Sequence, residues 1–133
     1  MQVSRNKSKY KGIKRIFYSA KYALDGLIYA YRHEHSLWIH GLCSILAVTM
    51  GLIFKIKTIE WYVILISLTV ILAFELVNTA MEASVDMVTL EYDELARIAK
   101  DCCSAATFVM SLAGIIIMSF IFVPHIISAL GLG

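Results

Sequence analysis

Five polar side chains at helical spacing end a long apolar run in the middle of the chain: Glu75, Asn78, Thr79, Glu82 and Asp86. If this run is wound as an α-helix at 100° per residue, all five lie within about 60° of Glu75 and form one stripe. An ionisable side chain inside an apolar segment indicates a functional site, because a buried charge is unfavourable without a partner. The alternative is a polar seam that joins helices through hydrogen bonds.

The oxygen atoms of this stripe suit phosphate chemistry with a hard cation. Mg²⁺ is typically bound by one or two carboxylates together with nucleotide phosphates. Glu34 and Glu82 each end a segment at the same predicted membrane surface, so they form a natural pair for one metal ion. Glu75 lies about 10 Å deeper along the helix, where a carboxylate could accept a hydroxyl proton. Lys100, beside Asp101, offers a cation for a phosphate.

The spacing of the histidines and cysteines gives weaker support for metal binding. His33, Glu34 and His35 are adjacent and point in different directions on a helix, whereas His33 and His40 share a face. Interfacial hydrogen bonding is the favoured interpretation of these histidines over a transition-metal site. The three cysteines show no metal-binding spacing and imply no disulfide framework. No P-loop, protein-kinase or HExxH motif is present.

The composition predicts an integral membrane protein. The chain has 133 residues, of which 59% are hydrophobic and 17% charged, with one proline. We predict one all-α membrane domain over residues 1–133, with no cleavable signal. Its expected parts are an amphipathic surface helix at 13–34, transmembrane helices at 37–54, 61–81 and 102–123, the last ended by Pro124, and a cytoplasmic or interfacial segment at 83–101.

Charge placement predicts the orientation. Residues 1–32 contain eight Lys and Arg against one acid, and residues 75–101 contain seven of the ten acids. With a cytoplasmic amino terminus, Lys55 and Lys57 would be the only Lys or Arg residues outside the cell, as the positive-inside rule favours. The stripe would then face the cytosol.

Two segments resemble a known signature. Residues 75–82, ELVNTAME, with Asp86 and then residues 91–101, EYDELARIAKD, are similar to the small bacterial membrane kinases, the prokaryotic diacylglycerol kinase and undecaprenol kinase family. The resemblance covers nearly the whole chain. It implies a homotrimer in the bacterial plasma membrane, with active sites shared between subunits, that transfers the ATP γ-phosphate to a lipid alcohol.

The resemblance also implies roles for individual residues. Glu75 would be the general base, supported by Asn78 and Asp86, and Glu34 with Glu82 would hold Mg²⁺. The residues expected to bind ATP are Arg15, Tyr22, Glu34, Glu82, Glu91, Tyr92, Asp93, Lys100 and Asp101.

The substrate expected from the resemblance is undecaprenol, with diacylglycerol as the alternative. Residues 32–40, RHEHSLWIH, are closer to the Gram-positive branch, which ends this segment in a histidine like His40 and is typically undecaprenol kinase. The chain departs from that branch at His35 and Ser36.

Two other classes of function remain open from the residues. A small ion-coupled transporter could use Glu75 and Glu82 as a proton relay. That function predicts charged residues deeper in the membrane, and residues 61–74 contain none. A non-catalytic membrane scaffold would leave the stripe and the Lys100–Asp101 pair unexplained.

Overall fold

Four α-helices make up the described part of the protein. The computed structural model describes residues 12–132, so the basic residues before Gly12 lie outside it. The helices are α1 (Ile13–His33), α2 (His35–Phe54), α3 (Thr58–Val88) and α4 (Glu94–Ala129). No strand occurs within residues 12–132, so the all-α prediction is confirmed.

A single residue separates α1 from α2. Glu34 is extended, with φ −111° and ψ 115°, and its N–H donates to the Ala30 carbonyl oxygen at 2.8 Å. This break lets the surface helix turn directly into the first apolar helix. Along α1, Ala30 is the buried residue, whereas Ile13, Ile16 and Phe17 are exposed. Their apolar stripe is the side that a membrane surface would cover.

The turn between α2 and α3 is tight. Lys55 adopts a left-handed conformation with φ 50°, and the Ile56 N–H donates to the Gly51 carbonyl oxygen at 3.2 Å. Glu60 then accepts a hydrogen bond from the Lys57 N–H at 2.6 Å, which satisfies a free donor at the start of α3. The two helices are therefore held close together at this end.

The later helices are longer than the apolar runs that predicted them. Helix α3 continues to Val88, so the whole stripe from Glu75 to Asp86 lies on one helix. Helix α4 begins after Asp93, whose side chain accepts a hydrogen bond from the Ala96 N–H at 2.9 Å.

The prediction that Pro124 ends the last helix is wrong, because α4 continues to Ala129. Proline removes only one backbone donor, and an apolar environment penalises unwinding the remaining turn. The helix ends where Gly131 takes φ 69° and donates to the Ser128 carbonyl oxygen.

Helices α2, α3 and α4 are each long and apolar enough to cross a membrane. Their small core consists of Ala47, Ile56, Ile64, Ile121 and Phe122. Large apolar side chains elsewhere point outward; Phe120, for example, is 79% exposed. A protein surface of this kind matches lipid rather than water. The protein is therefore an all-α membrane protein with three spanning helices.

Candidate active site

The carboxylate of Glu75 lies at the contact between α2 and α3. It is 5% exposed, and both of its oxygen atoms have side-chain partners on α2. Oε1 lies 2.9 Å from Nε2 of His40, and Oε2 accepts a hydrogen bond from the Ser36 hydroxyl at 2.7 Å. The backbone carbonyl of Glu75 accepts a further hydrogen bond from Thr79. These contacts make the burial of a carboxylate tolerable.

One and two turns further along α3, Asn78 and Glu82 form a second part of the site. Asn78 is 8% exposed, and its side-chain N–H donates to Glu82 Oε1 at 2.8 Å. Its Oδ1 atom is buried and has no hydrogen-bond partner among the described residues. A buried carbonyl oxygen without a donor is unfavourable, so this atom is suited to a cation or an incoming N–H or O–H group.

Glu34 completes the carboxylate cluster from the α1–α2 junction. Its partial burial raises its pKa above the ordinary value, and repulsion from Glu82 and then from Glu75 raises it further, against a smaller lowering by His33. The negative charges of Glu34 and Glu82 therefore act on each other across the helix junction. A cation between them would relieve this repulsion.

The donor chemistry fits Mg²⁺. Carboxylate oxygens from Glu34 and Glu82 and the amide oxygen of Asn78 are the hard ligands that this ion prefers. Within residues 12–132, no three His, Cys, Asp or Glu side chains converge closely enough to hold a metal ion by themselves. Mg²⁺ commonly completes its ligand set with phosphates and water.

Lys100 joins the end of the stripe to α4. Its Nζ atom pairs with Asp86 Oδ1, so the structure brings the two predicted segments of the site together. Asp101 instead pairs with Arg97 at 2.7 Å, and Arg97 also binds Glu94 at 2.7 Å. Arg97 was not among the residues predicted from the sequence, although its spacing of three residues from Glu94 and four from Asp101 is a signal for these pairs.

The α3–α4 loop and α1 contain the remaining residues expected to bind ATP. Glu91, Tyr92 and Asp93 are exposed in the loop. Tyr92 donates a hydrogen bond to Glu94 at 2.7 Å, which ties the loop to the start of α4. Arg15 and Tyr22 lie on α1, seven residues apart and so on one face of that helix.

The prediction that His33 and His40 share a face is wrong, because the break at Glu34 places His33 at the end of α1 and His40 on α2. The two histidines have separate partners. His33 Nδ1 lies 2.8 Å from the Tyr29 carbonyl oxygen, and its ring stacks on the Tyr29 ring with centroids 4.0 Å apart. His40 binds Glu75, as the interpretation of interfacial hydrogen bonding expected. Ser36 was not predicted from the sequence as a site residue. Its position four residues before His40, one turn of helix away, is the only feature of the sequence that indicates such a role.

An apolar cleft leads to this site from the membrane interior. It has a volume of about 650 Å³ and is lined by α2, α3 and α4, with Tyr31 added from α1. Its polar lining includes Tyr31, His40 and Ser111, whereas Met50 and Phe122 line its apolar part. From Ile39 to Met50 it follows α2 for roughly 16 Å, at 1.5 Å per residue. A lipid chain has the chemistry to occupy such a space.

Comparison with known proteins decides the family. The model of the prokaryotic diacylglycerol kinase family matches residues 21–122. The chain belongs to this family. The resemblance found in the sequence is thereby confirmed.

Named members of the family are similar over most of the chain. A diacylglycerol kinase of Synechocystis sp. is 28% identical over 92% of this chain and 70% of the relative. The undecaprenol kinase of Bacillus subtilis is 30% identical over 86% of this chain and 93% of the relative. The diacylglycerol kinase of Escherichia coli K12 gives the same identity and coverage.

Family membership makes this protein an ATP-dependent lipid kinase. The carboxylate stripe thus belongs to an enzyme and not to an ion-coupled transporter or a scaffold.

Proposed function

We propose that this kinase transfers the γ-phosphate of ATP to undecaprenol, with diacylglycerol as the alternative acceptor. The observation that supports a lipid acceptor is the apolar cleft that reaches His40, which binds the buried carboxylate of Glu75. The preference for undecaprenol is supported by the likeness of residues 32–40 to the undecaprenol kinase branch.

Glu75 provides the base for this reaction, and Asn78 and Asp86 position the charged side chains around it. Asn78 fixes Glu82 by a hydrogen bond, and Asp86 orients Lys100. Because phosphoryl transfer has a loose transition state, the protein contributes mainly by positioning the reactants and balancing charge.

Glu34 and Glu82 would hold Mg²⁺, which when bound neutralises charge on the phosphates. The ATP-binding surface would add Lys100, Asp101, Glu91, Tyr92 and Asp93 at the α3–α4 connection, and Arg15 and Tyr22 on α1. Lys100 supplies a positive charge for a phosphate oxygen. The carboxylates of Asp101, Glu91 and Asp93 could accept hydrogen bonds from ribose hydroxyl groups or contact the metal ion.

The proposed setting is the bacterial plasma membrane, with the amino terminus and active site in the cytoplasm. The distribution of Lys and Arg supports this orientation. The proposed assembly is a homotrimer. The outward-facing apolar side chains of α2, α3 and α4 support contact with lipid or with further copies of the chain.

The deciding experiment is phosphorylation of lipids in mixed micelles with labelled ATP and Mg²⁺. Undecaprenol and diacylglycerol are offered separately, and Glu75→Gln is the inactive control. A higher kcat/KM for undecaprenol is expected. A higher kcat/KM for diacylglycerol would reverse the substrate assignment, and no label in either lipid would overturn the proposal.

A further inference from the structure

The contacts of Glu75 raise a question about how the lipid hydroxyl proton reaches it. Both carboxylate oxygens are already bound by side chains of α2, His40 and Ser36. His40 lines the apolar cleft, whereas Glu75 is not among the residues that line it. A lipid alcohol in this cleft therefore meets the imidazole of His40 before it meets the carboxylate of Glu75.

The hydrogen bond between the two residues fixes the chemistry of the imidazole ring. An ionised carboxylate can only accept hydrogen bonds, so Nε2 of His40 carries the proton that bonds to Oε1 of Glu75. In a neutral ring the other nitrogen, Nδ1, then has a free lone pair. Nδ1 makes no hydrogen bond with the residues that the structure describes. It is available as an acceptor.

We propose that His40 is the group that takes the proton from the lipid hydroxyl, and that Glu75 performs its base function through His40. This inference rests on the proposed function, because it requires an alcohol as phosphate acceptor. It deepens that function by assigning the proton transfer to an imidazole backed by a buried carboxylate.

Proton transfer to His40 accompanies phosphoryl transfer to the lipid oxygen. The lipid O–H bond breaks and its proton moves to Nδ1 of His40, while the lipid oxygen forms a bond to the γ-phosphorus. The bond between that phosphorus and the β–γ bridging oxygen breaks, so ADP leaves with its electron pair. The imidazolium is stabilised by the Glu75 carboxylate at 2.9 Å and later releases its proton to water.

Ser36 has a positioning role in this arrangement. Its hydroxyl donates to Oε2 of Glu75 and so fixes the carboxylate with Oε1 toward His40. Ser111 approaches Nε2 of His40 from α4 at 3.5 Å, so groups from three helices surround the imidazole–carboxylate pair.

The test compares His40→Gln with His40→Ala in the full-length enzyme in mixed micelles. Glutamine keeps an N–H that can donate to Glu75, but its side chain cannot take up a proton. If His40 only positions Glu75, His40→Gln keeps most of the wild-type activity. If His40 accepts the proton, both variants lose about 10²–10⁴-fold in kcat with the KM for ATP nearly unchanged.

Added imidazole supplies a second, independent readout. The cavity left in His40→Ala can admit free imidazole, and we expect imidazole to restore kcat at least about tenfold in this variant. It should not restore Glu75→Gln, in which the ring is still present. His35→Gln, an exposed neighbour in the first turn of α2, is the matched control and should keep wild-type kcat.

The outcomes separate this inference from the proposed function. An inactive wild-type enzyme would overturn the lipid kinase proposal itself. An active wild type together with a fully active His40→Gln would overturn only the role of His40, as would an inactive His40→Ala that stays folded by its thermal midpoint and gains nothing from imidazole.

Discussion

Oε1 of Glu75 on α3 lies 2.9 Å from Nε2 of His40 on α2, which joins a buried carboxylate to an imidazole across the interface between two helices. The two residues are 35 positions apart in the sequence. Because each group satisfies the other, the pair can remain in an apolar environment.

Glu75→Gln should lower kcat by about 10²–10⁴-fold and leave the KM for ATP within about twofold of wild type. The amide has nearly the same shape, so packing is kept, but it donates to Nε2 of His40 and leaves the proton on the wrong ring nitrogen. Steady-state lipid phosphorylation at varied ATP concentrations measures both constants. A rise in KM that matches the fall in kcat would contradict the base function.

Glu34→Gln and Glu82→Gln should each raise the Mg²⁺ concentration needed for half-maximal activity. Loss of one charged ligand is expected to weaken binding of the ion by at least roughly tenfold, the lower end of the effect of losing a group that supports a metal ligand. The measurement is a Mg²⁺ titration of kcat at saturating ATP, with Asp25→Asn on the exposed surface of α1 as control. Titration curves that overlay the wild type would remove both residues from the metal site.

The raised pKa of Glu34 predicts a pH dependence of stability in the absence of metal. A group whose pKa is higher in the folded state contributes stability below its ordinary pKa of 4.5 and loses it as the pH rises through the folded value. The wild type should therefore lose stability relative to Glu34→Gln as the pH rises above about 4.5. Thermal midpoints in EDTA across this range measure the effect, and parallel curves would contradict it.

Gly51→Ala should destabilise the protein by about 1–3 kcal/mol, because an added Cβ overpacks the α2–α3 turn. That atom would lie 2.7 Å and 2.9 Å from two carbons of the rigid Trp61 ring. Gly26→Ala on α1 is the matched control, since no atom lies within 4 Å of its Cβ position. There, alanine should be neutral or stabilise the helix by up to about 1 kcal/mol.

The free energy of unfolding of both glycine variants can be measured by detergent titration. Equal values for the two substitutions would show that the contact with Trp61 does not limit the approach of the helices.

A second hydrogen-bonded pair joins the helices at the opposite end of the bundle. His125 Nε2 lies 3.2 Å and 3.3 Å from the two carboxylate oxygens of Glu60. The His125 ring stacks against the Phe54 ring, with the ring centroids 6.2 Å apart. His125→Ala should lower the stability, because it removes the hydrogen-bonded partner of Glu60 and the ring that stacks on Phe54. A double-mutant cycle with Glu60→Gln measures the coupling, and additive effects would contradict the pair.

Several features of this protein follow from its sequence alone. The apolar runs predict three spanning helices, because a continuous helix satisfies its own backbone hydrogen bonds in lipid and the runs are long enough to cross it. The helical period places Glu75, Asn78 and Glu82 on one stripe of α3. These features depend on local spacing, which the sequence contains in full.

Only the tertiary structure decided which side chains meet this stripe. Ser36 and His40 bind Glu75, and Lys100 pairs with Asp86, because packing sets how α2 and α4 are rotated against α3. An apolar helix can be rotated about its own axis in many ways that bury a similar apolar area against its neighbour. Local spacing therefore does not specify these contacts. Likewise, α4 extends beyond Pro124 because the loss of one backbone N–H donor near the end of the helix destabilises it too little to stop it.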